Sequence, residues 1–517
     1  MSEFVALLGL LLAAVLLAAL ARRVGAPYPA FLALGGACLA FLPGAPALAI
    51  EPRLALALFV APVLLDAAYD ASPRDLKENW VPLVNLVVLG VAVTTMAVAV
   101  VVRAFMPGMP WAMAIALGAI VAPPDATAAT TILRHVKPPH RILTILEGES
   151  LLNDASALMI YRVAIGAIAT STFSITGAAP TFLLAIVGSV VAGRAMAWLV
   201  TRVTPHIHDV PTSIIVQFIT VFGVWIVAEE TGLSAVLTMV CFAVSVARPA
   251  SEITPARMRI PSYAVWETAV FVLNVLAFVF IGLQIRPILS NLAPAVRLQY
   301  FWVAGTVLLT VIVVRIAWAM IYYAVVRWHR GRARGRSPGS RPLPSFRGVL
   351  TVGWSGMRGI VTLAAALALP IRINGAALPF RDLIVFIAFA VVLGTLVIQG
   401  LTLGPLLRTF NLRDDDPVER EVNAARDRAL TAALATVDGI DSEVARSVRQ
   451  EFASHLRAAR GADGDPEVDH EQLHRSALAA ARRTILDMRA NDEIGDDAFH
   501  QLEREFDWME MVNESEE

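Results

Sequence analysis

Hydrophobic positions along this chain come in long unbroken runs, unlike the two-residue alternation of a half-buried strand or the single stripe of a soluble helix. Runs long enough to cross about 30 Å of hydrocarbon recur near residues 3–21, 28–46, 53–70, 81–105, 110–133, 142–170, 179–203, 211–230, 232–248, 262–285, 298–327, 346–371 and 381–408. These thirteen runs predict an all-α polytopic membrane protein with about thirteen transmembrane helices. From Arg413 the runs stop and helical patterning with charged faces takes over, near 417–437, 441–460, 468–490 and 495–511, broken between Gly461 and Pro466. The expected division is a transmembrane domain over residues 1–412 and a cytoplasmic, acidic, helical regulatory tail over 413–517.

Polar residues inside the apolar runs are few, and each needs a reason. The sixth run contains Glu147 to Arg162, EGESLLNDASALMIYR. Wound at about 100° per residue, Glu147, Ser150 and Asp154 share one face, and Glu149, Asn153 and Ser156 share a neighbouring one. A carboxylate near the bilayer centre costs roughly 2.5–3.5 kcal/mol on insertion scales, so Asp154 is expected to face a wet cavity or a partner. Glu147 alone is also explained by a polar first turn that reaches the aqueous phase.

The fifth run carries Ala122-Pro123-Pro124-Asp125. Two consecutive prolines remove two backbone donors and free the carbonyls of Ala119 and Ile120, which predicts an unwound helix. Unwound backbone at membrane depth is tolerated only against protein or a water-filled cavity, which makes Asp125 a second candidate. In the twelfth run Gly353, Gly356 and Gly359 surround Arg358. Runs five and twelve lie seven spans apart and enter the membrane in opposite directions. Interrupted helices at matching places in oppositely oriented halves predict an inverted repeat, runs one to six against eight to thirteen, with a site near the midplane. The third run adds Asp66, and the tenth adds Glu267 and Asn274.

Composition agrees: 57% of residues are hydrophobic, 16% are charged and the mean hydropathy is +0.65, which excludes an ordinary soluble globular protein. Basic residues gather in alternate loops, among them Arg22, Arg23, Arg134, Lys137, Arg141 and the run from Arg327 to Arg347. That asymmetry predicts the N-terminus outside and the C-terminus in the cytoplasm of a multi-pass cell-membrane protein. The basic loop from Arg330 to Ser345 reads as a connector that touches anionic headgroups of membrane lipids. Cys38 and Cys241 sit in apolar runs, so no disulfide framework is expected. His470 and His474, four apart, lack a third metal ligand. Without a phosphate loop, a nucleophile triad or a zinc signature, neither enzymatic chemistry, a cofactor nor nucleic-acid binding is expected.

Pro123-Pro124-Asp125, Glu149-Ser150-Leu151-Leu152-Asn153-Asp154-Ala155 and Gly356-Met357-Arg358-Gly359 together resemble the monovalent cation/proton antiporters of the sodium/proton exchanger type. The resemblance extends over the membrane part and takes in PVLLDAAY and VWETAVFVLN. It implies a homodimer with crossed, unwound fifth and twelfth helices, in which a mobile core carries Na⁺ or K⁺ one way and H⁺ the other. Carried over residue by residue, it implies that Asp154 alternately holds the proton and the cation, with Asp125 and Ser150 as further oxygens of the monovalent-cation site. It also implies that Asn153 bonds Asp66 and that Glu149 pairs with Arg358. An asparagine beside the carrier aspartate implies electroneutral exchange. Where relatives often have threonine before the unwound aspartate, this chain has Pro124, so one side-chain oxygen is missing.

The chemistry suits these residues. Alkali cations are hard and take oxygen ligands, and burial disfavours the charged form of a carboxylate. A carboxylate poised near neutrality holds a proton or a cation but not readily both. Other classes use some of the same features: a cation channel, a membrane sensor with the tail as output, or an organic-anion symporter with Arg358 meeting the anion.

Overall fold

The computed structural model describes residues 2–24, 27–42, 51–136, 138–170, 175–290, 292, 294–332, 345–373, 376–412 and 417–437, with isolated positions beyond. An apolar segment withdrawn from water can satisfy its own backbone only as helix, and nearly every described element is one. In chain order they are α1 (Ser2–Val24), α2 (Tyr28–Leu39), α3 (Pro52–Asp70), α4 (Pro73–Glu78), α5 (Trp80–Val84), α6 (Val91–Phe105), α7 (Trp111–Val121), α8 (Ala126–Val136) and α9 (His140–Thr170). There follow α10 (Ile175–Val203), α11 (Val210–Glu230), α12 (Ala235–Ile253), α13 (Ala256–Leu283), α14 (Ile285–Ser290), α15 (Pro294–Arg332), α16 (Phe346–Trp354), α17 (Ile360–Leu367), α18 (Arg381–Phe410) and α19 (Pro417–Val437). A short antiparallel pair, β1 (Arg372–Ile373) and β2 (Ala376–Ala377), lies between α17 and α18. A π-helical turn, Asn85–Gly90, joins α5 to α6.

Among the described residues, eight helices are long and apolar enough to cross a membrane, and Tyr28–Leu39, Trp111–Val121 and Ala235–Ala247 are shorter apolar helices. The chain is a multi-pass helical membrane protein. The fifth and twelfth apolar runs are each two helices: α7 and α8 are parted at Ala122–Asp125, and α16 and α17 at Ser355–Gly359. The prolines and the glycines therefore act where their chemistry places them. The chain separates into compact units Met1–Asp415 and Asp416–Glu517. In the second, α19 lies over the first expected tail helix; the later tail helices, with His470 and His474, fall almost wholly outside the described residues, as does most of the loop from Arg330 to Ser345.

Packing sorts the spans into two bundles. In one, α6, α7, α8, α9, α15, α16, α17 and α18 lie on one another; in the other, α1, α2, α3, α10, α11, α12 and α13 do. The bundles touch where α2 meets α18, α3 meets α17 and α9 meets α12. Without a hydrophobic driving force between helices in lipid, close approach comes from small residues. Gly36 on α2 faces the Val279 carbonyl of α13, and Gly282 on α13 faces the Ala33 carbonyl and the Ala37 nitrogen of α2. A Cβ at either glycine would strike backbone, which cannot swing away as a side chain can. Gly282→Leu is therefore expected to lower stability by about 1–3 kcal/mol or more. A thermal unfolding scan of the purified protein reads this, and an unchanged transition would show that the two backbones do not meet.

Candidate ion site

The two helix breaks create the site, because each leaves backbone groups that lipid cannot satisfy. At the end of α7 the Arg358 guanidinium donates from Nε to the Val121 carbonyl at 3.0 Å and from Nη2 to the Ala122 carbonyl at 3.2 Å. Its Nη1 donates to the Gly356 carbonyl of its own break. Arg358 is fully buried, and its backbone N–H donates to Thr395 Oγ1 of α18 at 3.0 Å. The breaks also bond to each other directly, through the Asp125 N–H and the Met357 carbonyl at 2.6 Å. The carbonyls that need a donor lie two residues later than Ala119 and Ile120, because α7 stops at Val121 before the prolines and does not kink through them.

Two expected pairings are corrected by this geometry. Glu149 does not brace Arg358. It pairs with Arg315 of α15, Nη1 to Oε1 at 2.6 Å and Nη2 to Oε2 at 2.9 Å, and Nη2 also donates to the Val352 carbonyl of α16 at 3.1 Å. The fork-to-fork geometry suits a guanidinium and a carboxylate, while Arg358 is already occupied by carbonyls. Arg315 was missed in the sequence, although an arginine inside the 298–327 apolar run is as anomalous as Asp154 is in its own. The second correction concerns Asn153, whose Nδ2 donates to the Pro124 carbonyl at 2.8 Å and so holds the first break, where a bond to Asp66 was expected. Next along α9, Ser156 Oγ lies 2.8 Å from the Val87 carbonyl in the π-helical turn and 2.8 Å from the Asn153 carbonyl.

A cavity of about 320 Å³ lies between the bundles. Asp125, Ser150 and Asp154 line it, and Asp66 stands on its α3 wall. Asp154 is 9% exposed, and Asp125 is near enough for its charge to act on it. Glu149 and Asn153 face away, into the packing around the breaks. The wall also holds Asp70 and Glu147, hydroxyls of Thr130, Thr131 and Thr362, Tyr28 and Asn274. Asp70 lies one turn beyond Asp66 on the same helix face, a spacing that could have identified it. Glu267 is exposed and takes no part in the wall. Among the described residues, no Lys, Arg or His lines the cavity. Gly359 does, and a Cβ there would occupy the place of the Asp125 carboxylate.

The family model described as "Sodium/hydrogen exchanger, transmembrane" matches residues 10–409. An uncharacterised Na⁺/H⁺ exchanger of Escherichia coli is 28% identical over 89% of this chain and 89% of its own length. A sodium, potassium, lithium and rubidium/H⁺ antiporter of Bacillus subtilis is 28% identical over 90% of this chain and 71% of its own. Among solved structures, a sodium proton antiporter of Methanocaldococcus jannaschii superposes with a TM-score of 0.60 at 18% identity, covering 79% of this chain and 99% of its own. That likeness is one of fold.

Breaking the buried Glu149–Arg315 pair leaves an uncompensated charge, so Glu149→Ala or Arg315→Ala is expected to cost about 3–5 kcal/mol. The double variant should recover part of the loss. A double-mutant cycle followed by unfolding measures the coupling; strictly additive losses would show that the charges do not meet.

Proposed function

The chain belongs to the sodium/hydrogen exchanger family, and on that premise we propose that it exchanges Na⁺ or K⁺ for H⁺ across the cell membrane, with Asp154 as the group that both substrates share. The observation that carries this reading is the position of Asp154: almost wholly buried, yet on the wall of a cavity with acidic and hydroxyl oxygens and no basic side chain among the described residues. Water access lets the carboxylate exchange ligands, and withdrawal from bulk water makes the bare anion costly. It therefore takes either a proton or a cation.

The oxygens that would replace the cation's hydration shell are those of side chains. The carbonyls of Val121, Ala122 and Pro124 accept from Arg358 and Asn153, and the Met357 carbonyl accepts from Asp125 N–H. Asp125, Asp154 and Ser150, which line the cavity, form the core of the site, with Asp66 and nearby hydroxyls completing it where Pro124 offers no side-chain oxygen. Arg358 is sealed from the cavity, so among the described residues an organic anion finds no cation to meet there.

Movement of one bundle against the other would expose the site alternately to each side, the usual route in inverted-repeat carriers. With the N-terminus outside, the Glu147 end of α9 faces the cytoplasm, and so does the cavity mouth, marked by the exposed lining residues Ala67 and Asp70 at the end of α3. The protein works as a homodimer in lipid; exposed apolar side chains such as Leu12 and Leu16 on α1, and Leu184 and Trp198 on α10, suit either neighbour. The acidic tail regulates, since every candidate ion-site acid lies before Leu412. One cation exchanges for one proton: Asn153 adds no second titrating group beside Asp154, and the reading is supported by the resemblance to exchangers that carry this Asn-Asp pair and are electroneutral.

In proteoliposomes, a Na⁺ or K⁺ gradient is expected to drive an opposite proton flux whose rate is unchanged by an imposed membrane potential. Asp154→Asn should abolish that flux while the protein still assembles, because an amide keeps the shape and loses the titration. Wild-type flux in the variant would remove Asp154 from the carrier role, and a flux driven by potential alone would overturn electroneutrality.

A further inference from the structure

Arg162 stands at the other end of the ion-site helix and has no part in the site. At about 1.5 Å rise per residue it lies about 12 Å along α9 beyond Asp154 and about 22 Å beyond Glu147 at the cavity mouth. From there it reaches into the second bundle: its Nη1 is 3.1 Å from the Leu233 carbonyl and 3.4 Å from that of Gly232, in the turn between α11 and α12.

The turn that receives it is stiff. Gly232 has φ +74, the left-handed conformation that ends a helix, with its N–H bonded to the Glu229 carbonyl at 3.1 Å and the Leu233 N–H bonded to that of Ala228 at 2.9 Å. Ser234 N–H donates to Ser189 Oγ of α10 at 3.0 Å, and the Leu233 side chain lies against Gly188. Two carbonyls are thus fixed in place by three helices of one bundle and face a cation of the other. The Glu229 carboxylate at the end of α11 is near enough for the Arg162 charge to act on it, which favours the contact.

We propose that Arg162 is a positioning residue that latches the two bundles at the end remote from the cavity mouth, favouring the state in which Asp154 opens toward Glu147, and that this latch must release for the site to reach the opposite side. The inference rests on the antiport reading above. Both Arg162 contacts are exposed, and an exposed charged contact made in one state and absent in the other biases a two-state equilibrium by roughly two- to fivefold.

Two measurements test it in full-length protein in which Cys38 and Cys241 are replaced by serine. With Ala67→Cys as a reporter on the cavity wall, a membrane-impermeant maleimide applied from the mouth side should label the Arg162→Gln variant up to about twofold more slowly than its parent, with Arg162→Lys intermediate. Equal rates in all three would overturn the latch. If Arg162→Gln fails to assemble, Arg162→Lys and the second measurement decide. In that one, Arg162→Cys with Leu233→Cys is bridged by a bis-methanethiosulfonate reagent about as long as the arginine side chain, because the observed contact runs from the guanidinium to a backbone carbonyl and leaves two cysteines too far apart for a direct disulfide: the cross-link should abolish exchange, and dithiothreitol should restore it. Failure to cross-link, or exchange that persists in cross-linked protein, would overturn the proposal. Absence of exchange in wild-type vesicles would defeat the antiport reading itself, whereas wild-type exchange with unaltered labelling in Arg162→Gln defeats the latch alone.

Discussion

A helix that breaks inside a membrane must find partners for backbone groups that neither lipid nor its own next turn can satisfy, and the rest of this structure follows from how that is done. Arg358 supplies three donors to carbonyls on both breaks, Asn153 supplies a fourth, and the two breaks share one backbone bond through Asp125 and Met357. A positive charge at the C-terminal end of α7 also opposes the negative end of that helix. The unwound stretches are therefore held in one place, and Asp125 is held with them.

Holding the breaks fixes what the cavity can do. With the carbonyls of Val121, Ala122, Pro124, Gly356 and Met357 each accepting a donor, the acids and hydroxyls of the wall are the groups placed to meet a cation. Glu149 and Arg315 add a second brace, joining α9, which carries Asp154, to α15 and to the carbonyl of Val352 just before the second break. A buried pair of this kind is a poor source of net stability but a strong penalty on any arrangement that separates it. It favours a bundle that moves as one body. The close approach of Gly359 to the Asp125 carboxylate serves the same end, since any side chain there would push the acid out of its place.

Much of this was legible in the sequence because membrane insertion makes polar residues conspicuous. Asp154, Asp125, Ser150 and Asp66 stood out from their apolar surroundings, and all four line one cavity. The Pro-Pro and Gly-rich interruptions gave the position of both breaks to within a residue or two. Partners were harder to read. Helical periodicity assigns a face, but it does not say which residue of a distant helix that face will meet. Arg358 was paired with Glu149 because a buried arginine needs a counterpart; its counterparts are carbonyls that exist only once α7 has stopped. Asn153 was paired with Asp66 on the family resemblance, and its acceptor is again a backbone oxygen freed by a break. Arg315 drew no attention because its run has no proline, glycine cluster or acid beside it.

The central claim is that one carboxylate holds the proton and the cation in turn. It is tested most directly by counting protons released when Na⁺ or K⁺ is added to purified wild-type protein in weakly buffered solution, beside a parallel measurement of cation bound. The account predicts about one proton released per cation bound, with apparent cation affinity falling as pH is lowered. Saturable cation binding that releases no proton, with an affinity independent of pH, would contradict it.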